Sequence, residues 1–239
     1  MRIKKLIRKN KNLGGSFGEL EFQDQSMTQN LSIEKPLIHQ ECSIKNSNFG
    51  RFVEIGMGTH LLNAFVGDYS YCARYCDFAN VEIGKFSNIA SFVRIGPTDH
   101  PMDKASLHHF LYRSNDYWKD QKEDHEFFAA REARLANVGH DTWLGHGSII
   151  KPEVIIGHGS IIGAGSVVTK NIKPYSIVAG NPARLIRMRF NDKVVDQLME
   201  MSWWDWDHDT IGQRLKDFRE LSVETVSYTH LRAHETSEY

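Results

Sequence analysis

Along the middle of the chain an aliphatic residue returns at every sixth position: Val138, Leu144, Ile150, Ile156, Ile162 and Val168. Glycine follows it at 139, 145, 157 and 163, and the fifth place of each hexad is small or β-branched (Thr142, Ser148, Val154, Ser160, Ser166, Ile172). A helix repeats every ~3.6 residues and a strand every ~2, so neither has this period. A six-residue step is that of a short strand, a corner and another short strand. The aliphatic residue points inward and glycine relieves the corner. Three such sides close a coil of about eighteen residues, and successive coils stack by backbone hydrogen bonds at ~4.8 Å. The pattern predicts a triangular parallel β-helix.

The rhythm starts less regularly near Leu37. It runs through Ile38, Ile44, Ile55, Val66, Cys72, Ile83, Ile89 and Ile95, with steps of five instead of six from Leu61 to Val66 and from Phe78 to Ile83. A missing residue tightens one corner without ending the coil. Residues 97–136 contain no hexad. Their aromatics, among them Phe110, Tyr112, Tyr117, Trp118, Phe127 and Phe128, argue for an ordered inserted loop, with a short helix near Glu123–Ala133. Pro174 and Pro182 stop the coil. Asn191 or Asp192 then caps a helix whose apolar stripe is Val194, Val195, Leu198 and Met199. Asp207 or Asp209 caps a second, carrying Ile211, Leu215, Phe218 and Leu221. The tryptophans at 203, 204 and 206 read as a packing plug over the last coil or a neighbouring subunit.

The expected organisation is an N-terminal extension (1–36) with an edge strand at Leu20–Phe22, a β-helix domain (37–190) carrying the insertion 97–136, C-terminal helices (191–225), and a tail (226–239) of non-native character. The fold class is all-β with short helices.

Composition narrows the function. With 29 basic and 30 acidic residues, no broad basic field points to nucleic acid. No apolar run approaches the ~18–20 residues that span a bilayer. The basic start MRIKKLIRKNKN lacks the apolar stretch of a secretory signal. Cys42, Cys72 and Cys76 lack zinc-type spacing and suit small-residue packing in a reducing cytosol. A cytoplasmic protein with no membrane or nucleic-acid partner is expected.

The hexads, followed by SIVAGNPARLIRMRF, resemble the hexapeptide-repeat acyltransferases. The Gly96-Pro-Thr-Asp-His-Pro-Met-Asp103 segment and Glu200-Met-Ser-Trp-Trp-Asp-Trp-Asp are similar to the antibiotic-modifying branch, which includes type B chloramphenicol acetyltransferases. The HHFLYR-containing loop is similar to an acetyltransferase group associated with phosphonate metabolism. The resemblance spans roughly residues 37–222. It implies a left-handed coil, a homotrimer with active sites between subunits, and transfer of an acetyl group from acetyl-CoA to a hydroxyl or amine of a small molecule, without a metal. It implies that His100 is the catalytic base, a role suited to histidine's ordinary pKa of about 6.5. A backbone carbonyl or a carboxylate, Asp99 or Asp103, should fix the ring's tautomer. His108 is expected in loop packing or acceptor contact.

For coenzyme A the resemblance implies Trp143, Gly145 and His146 along the pantetheine slot, although His146 stands where some relatives carry serine. It also implies Gly163, Ala164 and Gly165 at a close backbone approach, Thr169 and Lys170 near the nucleotide, and Arg184 and Arg187 on phosphates. Two rival functions stay open. A metal-dependent hydratase of the γ-class carbonic anhydrase kind would recruit His140 and His158, eighteen residues apart at the third place of their hexads; as ordinary residues these are solvated corner histidines. The second rival is a non-catalytic β-helix scaffold.

Overall fold

The computed structural model describes residues 31–225. The features expected at Leu20–Phe22, along the basic N-terminus and in 226–239 lie outside the described residues. From Leu37 to Gly180 the chain winds into a three-sided parallel β-helix. One face is an eight-stranded ladder running from Leu37–Ile38 through Tyr71–Cys72, Asn88–Ile89, Trp143–Leu144 and Ile161–Ile162 to Ser176–Gly180. The antiparallel strand Ala183–Met188 closes it. The second and third faces share a nine-stranded sheet, because His60–Val66 and Asp77–Ile83 cross the corner between them unbroken.

The five-residue steps fall on that corner. Early turns advance 17 residues, as from Asn63 to Asn80; late turns advance 18, as from His140 to His158. Asn63 and Asn80 both turn the tight corner with φ 50°, a conformation asparagine tolerates. Their side-chain amides hydrogen-bond at 2.9 Å from one coil to the next.

The aliphatic position of each late hexad is 3% exposed or less, and burying each such side chain contributes about 1.5–3 kcal/mol. The fifth place also faces inward. Thr142, Ser148, Ser160 and Ser166 are wholly buried. Ser160 Oγ donates to the Lys173 carbonyl at 2.9 Å, and Ser166 Oγ accepts from Gly180 N at 3.1 Å. Cys72 and Cys76 are buried free thiols in the same core.

The hexad glycine acts differently from the expectation. A Cβ at Gly145 would lie 2.6 Å from the backbone nitrogen of Ala164, so glycine here permits the stacking distance between coils. The left-handed corner falls two residues later, at Gly147 (φ 65°). The corner between the third and first faces, held by Asp141 and Gly159 in the late turns, carries aromatics in the early ones. Phe52, Tyr69 and Phe86 adopt φ of 58°, 61° and 59°, and successive rings stack at 4.9 and 4.5 Å. Each left-handed non-glycine residue costs about 1–2 kcal/mol, which ring stacking of about 0.5–1.5 kcal/mol per pair and the buried ring area offset.

The insertion leaves the second face after Arg94–Ile95 and rejoins the third at Ala136–Val138, so Ala136 already pairs, with Val81. It contains two single 3-10 turns (His109–Leu111, Ser114–Asp116) and helix α1, His125–Glu132, shorter than expected and capped by Asp124, whose carboxylate accepts from Phe127 N at 2.9 Å. Beyond the coil, Asn191 caps α2, Asp192–Met201, which buries Val194, Leu198 and Met201. The expected second helix is two: α3, His208–Gln213, capped by Asp207, and α4, Leu215–Glu220, separated at Arg214. Gly212 sits just before the break, where a helix gains least from its residue. No helix among the described residues is long and apolar enough to cross a membrane.

Candidate active site

His100 lies in the first part of the insertion and is exposed. Its Nδ1 is 2.8 Å from the carbonyl oxygen of Leu107. A carbonyl only accepts, so Nδ1 carries the proton and Nε2 keeps its lone pair, the arrangement a general base requires. Of the orienting groups expected from the sequence, the carbonyl holds the ring and the carboxylates do not. Asp99 is ion-paired with Arg134, which also donates to Glu153 at 2.9 Å. The hydrogen bond from Arg134 holds the Asp99 carboxyl below the ordinary carboxylate range. Asp103 is exposed and meets Lys104 at 3.0 Å, which lowers its pKa likewise. Each carboxylate has a cation closer to hand than an imidazole. His108 caps the turn His109–Leu111, its Nδ1 accepting from Phe110 N at 3.2 Å. A cavity of about 290 Å³ opens beside His100, walled by Asp99, Met102, Phe127 and Arg131 among others.

The residues expected at coenzyme A divide into two groups. Trp143 stands 54% exposed on the first face, in register with Asn88 on one side and Ile161 on the other. The same row continues through Ile177 to Arg187. A cavity of about 420 Å³ follows it, bounded by Tyr71, Asn88, Trp143, Ile161 and the Asp141–Arg189 pair. Gly163, Ala164 and Gly165 turn the corner from the first face to the second. Gly165 N donates to the His146 carbonyl at 2.8 Å, placing His146 and buried Gly145 one coil away at the same edge. A Cβ at Gly165 would meet nothing within 4 Å, so this corner is open on its outer side. The His146 ring lies edge-on to Phe92 at 5.4 Å. Arg184 pairs in register with Ala179, beside Gly163, and both Arg184 and Arg187 are exposed. Thr169 and Lys170 belong elsewhere. They follow Val167–Val168 and turn the corner between the second and third faces, the edge from which the insertion also leaves. Within one chain, then, His100 projects from one edge of the second face and the small-residue corner forms the other.

His140 and His158 are stacked as their spacing requires, ring centroids 4.8 Å apart. They are half-buried, not free in solvent. Trp204 covers both, at 5.4 and 5.0 Å, with Lys85 and Asp205 joined at 2.7 Å alongside. His140 Nδ1 accepts from Lys85 N at 2.8 Å and His158 Nδ1 from His140 N at 2.9 Å. Burial, with the neighbouring His158, pushes His140 down to about 4; burial also lowers His158. Both rings are neutral acceptors tying coil to coil. Among the described residues no three histidine, cysteine or acidic side chains are grouped to hold a metal. The tryptophan cluster is a packing element, with Trp204 against the histidines and Trp203 between Phe86 and Phe218.

Tyr112, Arg131 and Arg134 shape the surroundings of His100; Tyr112 belongs to the HHFLYR segment but nothing local links it to His100, Arg131 and Arg134 carry no motif signal, and only the folded insertion brings them there.

Residues 136–170 match the family described as bacterial transferase hexapeptide (six repeats). A chloramphenicol acetyltransferase of Klebsiella aerogenes is 38% identical over 168 residues, covering 60% of this chain and 76% of that protein. One from Escherichia coli is 34% identical over 173 residues, covering 64% and 80%. Among solved structures, a variant of the Bacillus cereus N-acyltransferase AntD in complex with dTDP-4-amino-4,6-dideoxyglucose and coenzyme A shares the fold, with a TM-score of 0.53 at 24% identity over 70% of this chain and 90% of that one. The chain belongs to the hexapeptide-repeat acyltransferases, is an acetyltransferase, and is folded as that family's left-handed parallel β-helix.

Proposed function

We propose that the protein transfers an acetyl group from acetyl-CoA to a hydroxyl or amine of a small molecule, with His100 as general base and no acyl-enzyme. One observation carries this reading: an exposed imidazole whose Nδ1–H is held by the Leu107 carbonyl, which leaves Nε2 free beside a cavity. Nε2 takes the proton of the acceptor's O–H or N–H as that atom attacks the thioester carbonyl carbon. The tetrahedral intermediate collapses, the C–S bond breaks, and the proton passes from Nε2 to the departing sulfur, giving the acetylated acceptor and free coenzyme A. No buried thiol is required as a nucleophile.

Trp143, Gly145, His146 and Gly163–Gly165 would line the pantetheine, with Arg184 and Arg187 at the phosphates. Thr169 and Lys170, on the insertion's edge, would meet a cofactor held by a neighbouring copy. The separation of His100 from the open corner across the second face supports a homotrimer in which one protomer's insertion faces the next protomer's corner. Reduced cysteines and a metabolic thioester favour the cytoplasm. The relatives make chloramphenicol the first acceptor to screen, by release of free thiol from acetyl-CoA, followed by aminosugars and aminophosphonates. His100→Ala should keep the fold and coenzyme A binding and lose about 10²–10⁴-fold in turnover. Retained turnover removes His100 from the mechanism.

A further inference from the structure

Arg131, near the end of α1, is an unusual place for a cation. Its guanidinium carbon sits 4.5 Å from the Tyr112 ring centroid and 4.4 Å from that of Phe127. Its Nε is buried without a hydrogen-bond partner, a cost of about 1–3 kcal/mol for an ordinary buried donor and more for a charged one. The rest of its fork is engaged. Nη2 donates to the main-chain carbonyl of Asp99, the residue before His100, and to Tyr112 Oη at 3.2 Å. Tyr112 is 4% exposed, and its Oη lies 3.3 Å from His100 Nδ1. Because Nδ1 already carries its proton toward Leu107, Tyr112 Oη faces it as a second acceptor, itself fixed by Arg131. The other end of the device is tied to the β-helix. Asn80 of the tight corner donates from Nδ2 to the Arg131 carbonyl at 3.2 Å, and Asn63 from the coil below donates to Asn80.

We infer that Arg131 and Tyr112 are positioning residues that lock the ring and tautomer of His100 and reference them to the asparagine corner of the β-helix. This rests on the reading of His100 as the base. The pair acts on the geometry of proton removal and not on cofactor binding. Guanidinium is suited to it because one planar group spans two acceptors while resting against the stacked Tyr112 and Phe127 rings; a lysine ammonium in the same place reaches one at a time.

The test uses the full-length protein with Tyr112→Phe, Arg131→Lys and His100→Ala. The first readout is nitrogen NMR of labelled histidine, with the His100 signal identified by its absence in His100→Ala. The expected wild-type form carries its proton on Nδ1, and both conservative variants should mix in the Nε2-protonated form at unchanged melting temperature. The second readout is steady-state thiol release with acetyl-CoA and chloramphenicol, or the best acceptor of the screen. Tyr112→Phe should lower kcat about 3- to 10-fold and Arg131→Lys at least as much, with KM for acetyl-CoA unchanged. Neither should reduce activity further in the His100→Ala background. A wild-type His100 tautomer in both variants overturns the inference, as does a kcat that stays at the wild-type value in both. If one variant melts early, the other decides. Full activity in His100→Ala overturns the base itself and the positioning with it; an inactive His100→Ala beside fully active Tyr112→Phe and Arg131→Lys overturns the positioning alone.

Discussion

The late coils and the insertion solve the problem of holding a residue in place in opposite ways. In the coils every side chain is located by repetition. The backbone ladder sets the spacing, and an inward residue such as Ile150 or Ile162 meets its equivalent one turn away. In the insertion nothing repeats. His100 is located by one carbonyl, one tyrosine and an arginine resting against a stacked ring pair, all supplied by residues 99–131. A local error in the coil therefore propagates through the ladder, whereas a local error in the insertion stays at the site. The first region is held by its ladder and the second by its own side chains, with the asparagine corner as their joint.

Gly145→Val should break the comparison on the coil side most severely. The added Cβ falls 2.6 Å from the Ala164 backbone nitrogen, and neither backbone can move without disturbing its ladder. A loss of about 3 kcal/mol or more is expected, read by denaturant unfolding as a large drop in midpoint or as failure to purify folded protein. A Gly145→Val protein that unfolds like the wild type would mean the coils are looser than their register indicates. His100→Ala is the mirror case: turnover gone, unfolding midpoint unchanged. If that midpoint falls substantially, the insertion shares the coil's stability and the contrast fails.

The histidine corner sharpens the contrast by pH. His140 titrates near 4 in the fold and at about 6.5 in the unfolded chain. A folded value below the unfolded one means that the unfolded state takes up protons first. Stability is therefore complete above about pH 6.5 and declines as pH falls toward about 4. His158, lowered in the same direction, adds to the decline. The lowered carboxylates Asp68, Asp99 and Asp207 lose their contribution only on acidification through the carboxylate range, below this window. Melting temperature measured from pH 7.5 to 4.5 should fall, and His140→Asn with His158→Asn should flatten the curve. An unchanged slope in that double variant would assign the decline to other groups. The smallest effect is expected at the exposed end of the coil. Arg184→Ala should raise KM for acetyl-CoA about 3- to 10-fold, the scale of one charge-assisted phosphate contact, with kcat and melting temperature unaltered. An unmoved KM places Arg184 away from the phosphates.

The coil was legible in the chain because its physics is local and repeated. The six-residue step, the inward aliphatics and even the five-residue steps at Asn63 and Asn80 each reflect a constraint imposed once per turn. The role of the hexad glycine is not legible in the repeat, since the contact that excludes a Cβ at Gly145 comes from Ala164, a full turn away. Nor does the repeat show what covers His140 and His158, because Trp204 is remote in sequence. Around His100 the limit is sharper. The proposed base and the carbonyl option for its tautomer follow from the family resemblance, whereas the Asp99–Arg134 pair and the approach of Tyr112 and Arg131 depend on how the insertion folds.

By itself, then, the sequence determined the coil and its family resemblance, because periodic burial and a short motif are written in consecutive residues. Only the tertiary structure decided which atoms hold His100 and which corner stands open. Those depend on contacts such as Arg131 to Asp99 and Asn80 to Arg131, set by how a non-repeating segment packs back on the coil, and no local pattern encodes such contacts.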